Sequence, residues 1–443
     1  MQHEVCVVGA GLAGSECALQ LAKRGIHVKL YEARPKLQTA VHHTSLCAEL
    51  VCSNSFKATR LDSASGLLKR ELQMTGSELI RRAQEHAVQA GGALAVDREG
   101  FAQSVTDEVT TNPNIELIRE EVKEIPEGPT VIAAGPLCSD TLFDSLAKRL
   151  GTEALAFYDA AAPIVDATTL DYDEVFSQTR YDSTSKGDYL NCPMDKEEYE
   201  AFYTELIGAK RVIARDFEQK DLFSACQPVE EVARTGHDSL RFGALKPVGL
   251  TDPRTGHRPW AVVQLRAENA QKSAYNLVGF QTNLTWPEQK RVFRLIPGLE
   301  HADFFRYGVM HRNSFVDSPH VLDQSFGIPG TEVRLAGQIT GTEGYVEAIA
   351  SGLFAALNTY AALIGTDQVR LPKTTAFGSL VAYATDPGTV QYQPMHVNFG
   401  LVTPLAVPKR NKRERYAAYS ERAQDDLDAY IVSRPDLFAD AYE

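Results

Sequence analysis

Apolar and polar positions set out the first elements directly. Residues Glu4 to Val8 form a short apolar run that predicts a strand, and apolar residues recur at helical spacing from Leu12 to Arg24. Gly25 suits the end of that helix, and Ile26 to Tyr31 alternate as a second strand. Farther on, the pattern predicts helices over Ser77 to Ala90 and Glu99 to Val109, then strands over Ile115 to Val122 and Thr130 to Ala133. Strands alternating with helices imply a parallel sheet.

The pattern then changes. Strands such as Trp260 to Leu265 and Tyr275 to Phe280 are separated by turn-rich stretches with fewer helical runs, which predicts an inserted α+β domain. The earlier pattern returns with a strand at Val333 to Ala336, Gly337, and a helical run from Tyr345 to Thr359, so the first domain is discontinuous. One more helix is expected near Arg413 to Leu427. The expected division is 1–165 and 299–371 for the two parts of the first domain, 166–298 for the insert, and 372–443 for a C-terminal segment.

Composition narrows the class. The 443 residues are 44% hydrophobic and 23% charged, with 31 Gly and 21 Pro, which excludes disordered, collagen-like and disulfide-scaffold chains. Mean hydropathy is −0.24, and the sequence holds no uninterrupted apolar run of about twenty residues, so no membrane span is expected. The first residues move straight into a strand without a signal-peptide pattern, from which a cytoplasmic protein is expected. Seven cysteines, Cys6, Cys17, Cys47, Cys52, Cys138, Cys192 and Cys226, form an odd set without metal-ligand spacing, which argues against a disulfide framework or a structural metal site. A net charge of −13 disfavours general adhesion to nucleic acid. A polyanion must meet a local patch, and Lys409, Arg410, Lys412, Arg413 and Arg415 form one candidate, with Lys210, Arg211 and Arg215 as another.

Gly9-Ala10-Gly11-Leu12-Ala13-Gly14 fits GxGxxG between a strand and a helix, and Glu32 closes the second strand. Gly9 permits the tight turn, Gly11 lets backbone amides approach a pyrophosphate, and Gly14 allows close helix–strand packing. Glu32 suits the ribose hydroxyls of an adenosine. This fingerprint alone leaves NAD and FAD open. The strand Thr130 to Gly135 resembles the second signature of flavoproteins of the glutathione-reductase type, and Gly337 and Gly341 make a second glycine-rich turn before a helix. Both favour FAD and an α/β fold with a Rossmann-like FAD-binding domain of glutathione-reductase type carrying an inserted α+β domain. The absence of a second GxGxxG leaves NAD(P)H to visit transiently.

Cys52, in LVCSNS, and Cys226, in ACQPVEE, stand among polar neighbours. A thiolate is a soft nucleophile, and C6 of uracil is the β-carbon of an enone. Attack there makes C5 nucleophilic toward a one-carbon unit, and a second group must remove the C5 proton. Isolated cysteines also serve as packing residues.

VVGAGLAGSE, ELVCSNS, YDAAAPIV, DYLNCPM, ACQPVEE, KPVGLTDPRTGHRPWAVVQLR, LVGFQTNLTWPEQKRVF, RYGVMHRNSF and AGQITGTEGYVEAIASG together resemble the folate- and FAD-dependent tRNA (uracil-5-)-methyltransferases over almost the whole chain. The resemblance implies transfer of the methylene of 5,10-methylenetetrahydrofolate to C5 of uridine 54 in the tRNA T-loop, with FAD as reductant and NAD(P)H regenerating it. It implies Cys226 as the nucleophile on C6, Cys52 as the partner that removes the C5 proton or acts beside the flavin, and His311 beside the folate pterin. Gly9, Gly11, Gly14, Glu32, Gly337 and Gly341 carry over to FAD. Two features depart from the family pattern: Cys47 stands where an aromatic residue is expected, and Phe56 with KATRLDSAS replaces a more glycine-rich loop.

Other readings stay open at this stage. The larger flavoproteins that modify the wobble uridine of tRNA share the block from Ala336 to Ala348 but carry a long helical C-terminal domain. A paralogue acting on ribosomal RNA, a flavin oxidoreductase acting on a small molecule, and a noncatalytic FAD-bound RNA-binding protein use the same flavin site differently.

Overall fold

Val5, Val7 and Val8 are shut away from water, and the strand they form, Glu4–Val8, lies at the centre of a five-stranded parallel sheet. The structure is a computed structural model describing residues 3–39, 41–151, 155–180, 187–213, 227–389 and 392–438; of residues 155–159, 311 and 312 it describes the backbone alone. The sheet order is Val333–Leu335, Thr130–Ile132, Glu4–Val8, His27–Tyr31 and Ile115–Ile118, every neighbouring pair parallel. Its strands Thr130–Ile132 and Val333–Leu335 are buried at every position, as in a sheet covered on both faces. The helix Leu12–Lys23 is buried from Leu12 to Ala22 and packs along Tyr345–Ile364.

A second core spans Ala162 to Phe304 and covers a six-stranded sheet ordered Phe176–Ser177, Tyr189–Met194, Ala261–Ala267, Ala274–Leu277, Ile164–Asp166 and Phe304–Arg306, all antiparallel. The insert's own hydrogen bonding therefore reaches past both 166 and 298. Strands Leu155–Ala160 and Met310–Phe315 pair antiparallel and carry the chain into the insert and back. The C-terminal segment is no separate unit: Phe377, Leu380, Phe399, Tyr419, Leu427 and Phe438 join the first core.

Several elements differ from the pattern's expectation. The helix expected over 77–90 is Glu78–Glu85, because Ala87–Val88 pairs antiparallel with Ala93–Val96 instead. The strand expected to reach Phe280 ends at Leu277, where the chain turns through Gly279 at φ +79°. The helix from Tyr345 runs on to Ile364, and the last long helix is Lys412–Ser433. By length and composition Tyr345–Ile364 is apolar enough to cross a membrane, which a search for uninterrupted apolar runs misses, but 78% of its apolar window is buried within the protein.

Candidate functional site

The glycine turn is built by close packing. Gly9 sits at φ +100°, donates its N–H to Tyr31 O at 2.7 Å, and has no room for a Cβ, which would lie 2.5 Å from Ala133 O. A Cβ on Gly14 would lie 1.7 Å from Gly9 O, so the helix can start this close to the strand only with glycine there. Gly11 differs. It caps Leu12–Lys23, a Cβ on it would meet nothing within 4 Å, and it opens onto a cleft of about 370 Å³. The first turn of a helix leaves backbone N–H groups free and carries partial positive charge, the chemistry that receives a phosphate.

Glu32 lines the same cleft. Its Oε2 accepts the Ala10 N–H at 3.0 Å, and its Oε1 accepts the Arg34 N–H at 3.0 Å and the Arg34 Nε–H at 2.8 Å. Burial acts to raise this carboxyl, but the Arg34 guanidinium and the two backbone donors outweigh it and hold Glu32 below the usual carboxylate range. Arg34 also donates to Glu49 Oε2 at 2.9 Å, and Glu49 in turn accepts the N–H groups of His43 at 2.8 Å and Thr44 at 3.2 Å. This chain of hydrogen bonds ties Glu32 to the loop that leads to Cys52.

The cleft continues past Gly135 and Cys138 to Asn313, Gly337, Gln338, Glu343, Gly344 and Tyr345, with Cys52, Ser53 and Lys57 on the same wall. Cys52 is half-buried, its Sγ 3.6 Å from Ala160 O. The Tyr345 hydroxyl accepts the N–H groups of Cys52 at 2.8 Å and Ser53 at 3.1 Å, so the first residue of a long core helix fixes the thiol's backbone. Arg98, Arg266 and Arg306 hold the surroundings from both domains. Arg98 donates to the Leu50 carbonyl and to Glu268 at 2.8 Å, Arg266 to Asn54 Oδ1 at 2.8 Å, and Arg306 to Val41 O at 2.7 Å.

The residues present fit FAD. The cleft joins an anion-receiving helix start to a carboxylate at one end and to a thiol-bearing wall at the other. Asn313 is 1% exposed on that wall, and its Oδ1 has no hydrogen-bond partner among the described residues, a buried acceptor that a bound group would satisfy.

Not all of the other residues named from sequence reach the cleft. Leu12 and Ala13 line the cleft, whereas Ala10 and Gly14 build the turn behind it. Gly341 is not on the cleft wall: it turns at φ +77° against Tyr392, whose hydroxyl a Cβ would approach to 2.4 Å. Cys226 and Arg215 lie outside the described residues, as does the His311 side chain, although the His311 backbone pairs with Asp159. Lys409, Arg410, Lys412 and Arg413 are exposed around the start of Lys412–Ser433, capped by Asn411, with Arg413 Nε 3.8 Å from Asp62. Cys47 is fully buried and its backbone N–H bonds Thr106, while Phe56 packs between Phe101 and Tyr345. Lys57, at an irregularity within the strand Ser55–Ala58, adopts φ +65°, a strained conformation for a residue with a Cβ.

The sequence reading did not single out Arg34, Glu49, Asn313, Tyr345 or Cys138. The only local signal was for Arg34, two residues beyond the acid that ends the second strand. Burial pushes the Cys138 thiol up to about 12.

Ile213, Val229 and Glu230 are all bonded to one segment, Gln281–Asn283. Asn283 receives the Ile213 N–H on Oδ1 at 3.0 Å and returns its own Nδ2 to Ile213 O at 2.9 Å. Val229 donates to Gln281 O at 2.7 Å, and the Glu230 carboxylate accepts Asn283 N–H at 2.6 Å and Thr282 Oγ1 at 2.9 Å. Gln281 itself lines the cleft.

Comparison with known proteins agrees with this geometry. The family model described as glucose inhibited division protein A matches residues 4–367. The chain is 54% identical to methylenetetrahydrofolate--tRNA-(uracil-5-)-methyltransferase TrmFO of Symbiobacterium thermophilum, over 97% of each chain. It is 52% identical to the protein of that name from Bacillus velezensis, over 96% of this chain and 98% of that one. In fold it is similar to GidA of Aquifex aeolicus in its form I crystal, with TM-score 0.69 at 15% identity, covering 98% of this chain and 79% of that one. The chain therefore belongs to the glucose inhibited division protein A family and, within it, to the methylenetetrahydrofolate--tRNA-(uracil-5-)-methyltransferase TrmFO group.

Proposed function

We propose that the protein methylates C5 of uridine 54 in the T-loop of tRNA, taking the carbon from 5,10-methylenetetrahydrofolate, with FAD as bound cofactor and NAD(P)H as electron donor. The observation that carries this reading is the single cleft that runs from the Gly11 helix start and Glu32 to the Cys52 wall. A long dinucleotide laid along it would reach the wall that carries Cys52. The extensive identity to methyltransferases of that name supports the substrate pair.

Gly11, Leu12 and Ala13 would receive the pyrophosphate, Glu32 the ribose, and the Gly337 to Tyr345 segment the flavin end, with Asn313 as a further hydrogen-bonding group. FAD supplies the reducing equivalents that turn the transferred methylene into a methyl group. Cys226 adds through sulfur to C6 of the uracil, and the electron pair delivered to C5 attacks the methylene carbon, breaking its bond to one folate nitrogen. Cys52 takes the proton from C5 as the second carbon–nitrogen bond breaks and tetrahydrofolate leaves. The exocyclic methylene so formed would receive the hydride equivalent, and departure of the Cys226 sulfur restores the ring double bond. Arg98 and Tyr345 hold the Cys52 loop for that step. The target base leaves its stack to reach the cleft, and the exposed Lys409 to Arg413 group holds phosphates.

Cys226→Ala tests the assignment. The variant is expected to purify yellow, with FAD bound, and to transfer no methyl group to unmodified tRNA. Wild-type turnover removes Cys226 as nucleophile. Transfer to ribosomal RNA instead, or oxidation of a small molecule without any RNA product, replaces the tRNA reading.

A further inference from the structure

The insert carries three stacked rings that run from its core out to the surface. Trp286 opens the helix Trp286–Phe293, and its ring lies 5.7 Å from that of Tyr307 at an interplanar angle of 16°. Tyr307 lies 5.2 Å from Phe304 at 18°. The inner end of this stack rests on the second core, while Trp286 at the outer end is 59% exposed. Phe305 and Val212 are also exposed. Packing inside this chain more often tilts rings, as in Phe280 against Phe293 at 79°, so a near-parallel series with its last face open is distinctive.

The stack lines no part of the cleft itself, but it adjoins two segments that lead to it. Arg306, between Phe305 and Tyr307, donates to Val41 O on the loop that leads to Cys52. Trp286 follows the Gln281–Asn283 segment, whose first residue lines the cleft. Charge supports a polyanion here. Lys290 lies one turn along the helix from Trp286, and Lys210 accepts the Thr285 N–H on its carbonyl. Both lysines are exposed and neither forms a salt bridge with a described residue, although the Lys210 charge also acts on the Glu288 carboxylate. Arg291 beside them is instead engaged by Glu205 and Glu288.

We propose that the open face of Trp286 is a stacking platform for an unpaired base of the RNA substrate, with Lys210 and Lys290 facing the adjoining phosphates. This rests on the RNA-modifying reading above and adds a binding surface outside the cleft. A flat π face suits any base, and lysines at its edges suit the backbone, so the platform grips a single-stranded stretch without reading its sequence. It would hold nucleotides next to the uridine that enters the cleft.

The test compares wild type, Trp286→Ala, Trp286→Phe and the control Phe242→Ala, whose ring is 83% exposed elsewhere on the insert. Each is titrated with unmodified tRNA transcript, and FAD content and circular dichroism are recorded. Trp286→Ala is expected to bind tRNA about tenfold or more weakly, with KM for tRNA rising more than kcat falls, while Trp286→Phe stays within about threefold of wild type. Tryptophan emission of the wild type should be quenched by tRNA, and that quenching should vanish in Trp286→Phe. The platform is overturned if Trp286→Ala binds tRNA like wild type, or if its affinity falls no further than that of Phe242→Ala. It is also overturned if the substitution changes only the oligomeric state in sedimentation, which would make the patch a self-association surface. If wild type itself fails to bind tRNA, the RNA reading fails together with the platform.

Discussion

Replacing Gly14 and Gly11 separately by alanine divides two tasks that one glycine turn performs. At position 14 the new methyl would lie 1.7 Å from Gly9 O and 2.9 Å from the Gly9 carbonyl carbon. Relieving that overlap requires the helix start to retreat by about 1.5 Å or more from the carbonyl of a residue whose own N–H is held by Tyr31 O, since comfortable packing begins near ~3.5 Å. Overpacking of this kind costs about 1–3 kcal/mol, and backbone neighbours place it at the upper end. At position 11 the methyl meets nothing within 4 Å, and φ −72°, ψ −167° is open to alanine. Losing a glycine N-cap costs roughly 0.5–1 kcal/mol, and the stiffer unfolded chain returns a similar amount, so folding is nearly unchanged. The methyl does enter the cleft where backbone must approach a pyrophosphate. Denaturant unfolding of the FAD-free proteins and flavin titration separate the two. Gly14→Ala is expected to lower the unfolding midpoint, whereas Gly11→Ala keeps it and loses FAD affinity by about tenfold or more, equivalent to ~1.4 kcal/mol. A Gly14→Ala protein as stable as wild type, or a Gly11→Ala protein that binds FAD normally, refutes the reasoning.

Three further outcomes follow from the site and its supports. Tyr345→Phe keeps the ring but leaves the Cys52 and Ser53 N–H groups without their acceptor, at a cost of about 1–3 kcal/mol for each donor left dry; methyl transfer should slow while FAD content is retained, and unchanged turnover would show that the hydroxyl does not position Cys52. Burial pushes Glu16 up to about 7, Glu71 to about 8 and Glu230 to about 7. Each folded carboxyl binds its proton more tightly than in the unfolded chain, so the stabilisation is complete below about pH 4.5 and is lost as pH rises toward 8. Denaturation midpoints should fall from pH 5 to pH 8, with a shallower fall in Glu71→Gln; a flat profile contradicts these shifts. Neutralising Lys409, Arg410, Lys412 and Arg413 together should weaken tRNA binding and flatten its dependence on log salt by about 0.7–0.9 for each phosphate no longer neutralised, and an unchanged slope removes the patch from the RNA surface.

The opening βαβ unit was legible almost to the residue because three constraints coincide there: alternating apolar strands, a helical stripe, and glycines at positions where a Cβ collides with backbone. Local pattern misled where pairing decided the outcome. Ala87 and Val88 fit a helix as well as a strand, and only Ala93–Val96, distant by a turn, selects the strand. The acid Glu32 could be named from spacing, but its partner Glu49 meets it only through Arg34 once the loop has folded back. Tyr345 read as the first residue of a core helix, and nothing local to it signals that its hydroxyl reaches the Cys52 backbone 293 residues away in sequence. Gly341 looked like a cofactor glycine because it shares a turn with Gly337, yet its backbone conformation serves Tyr392 packing.

The most direct measurement incubates the purified, FAD-loaded protein with unmodified tRNA, methylene-labelled 5,10-methylenetetrahydrofolate and NAD(P)H, then digests the RNA and locates the label. The account predicts labelled 5-methyluridine at position 54, dependent on the reduced nicotinamide and absent with Cys226→Ala. Label-free tRNA from a protein that holds and reduces its flavin would contradict it.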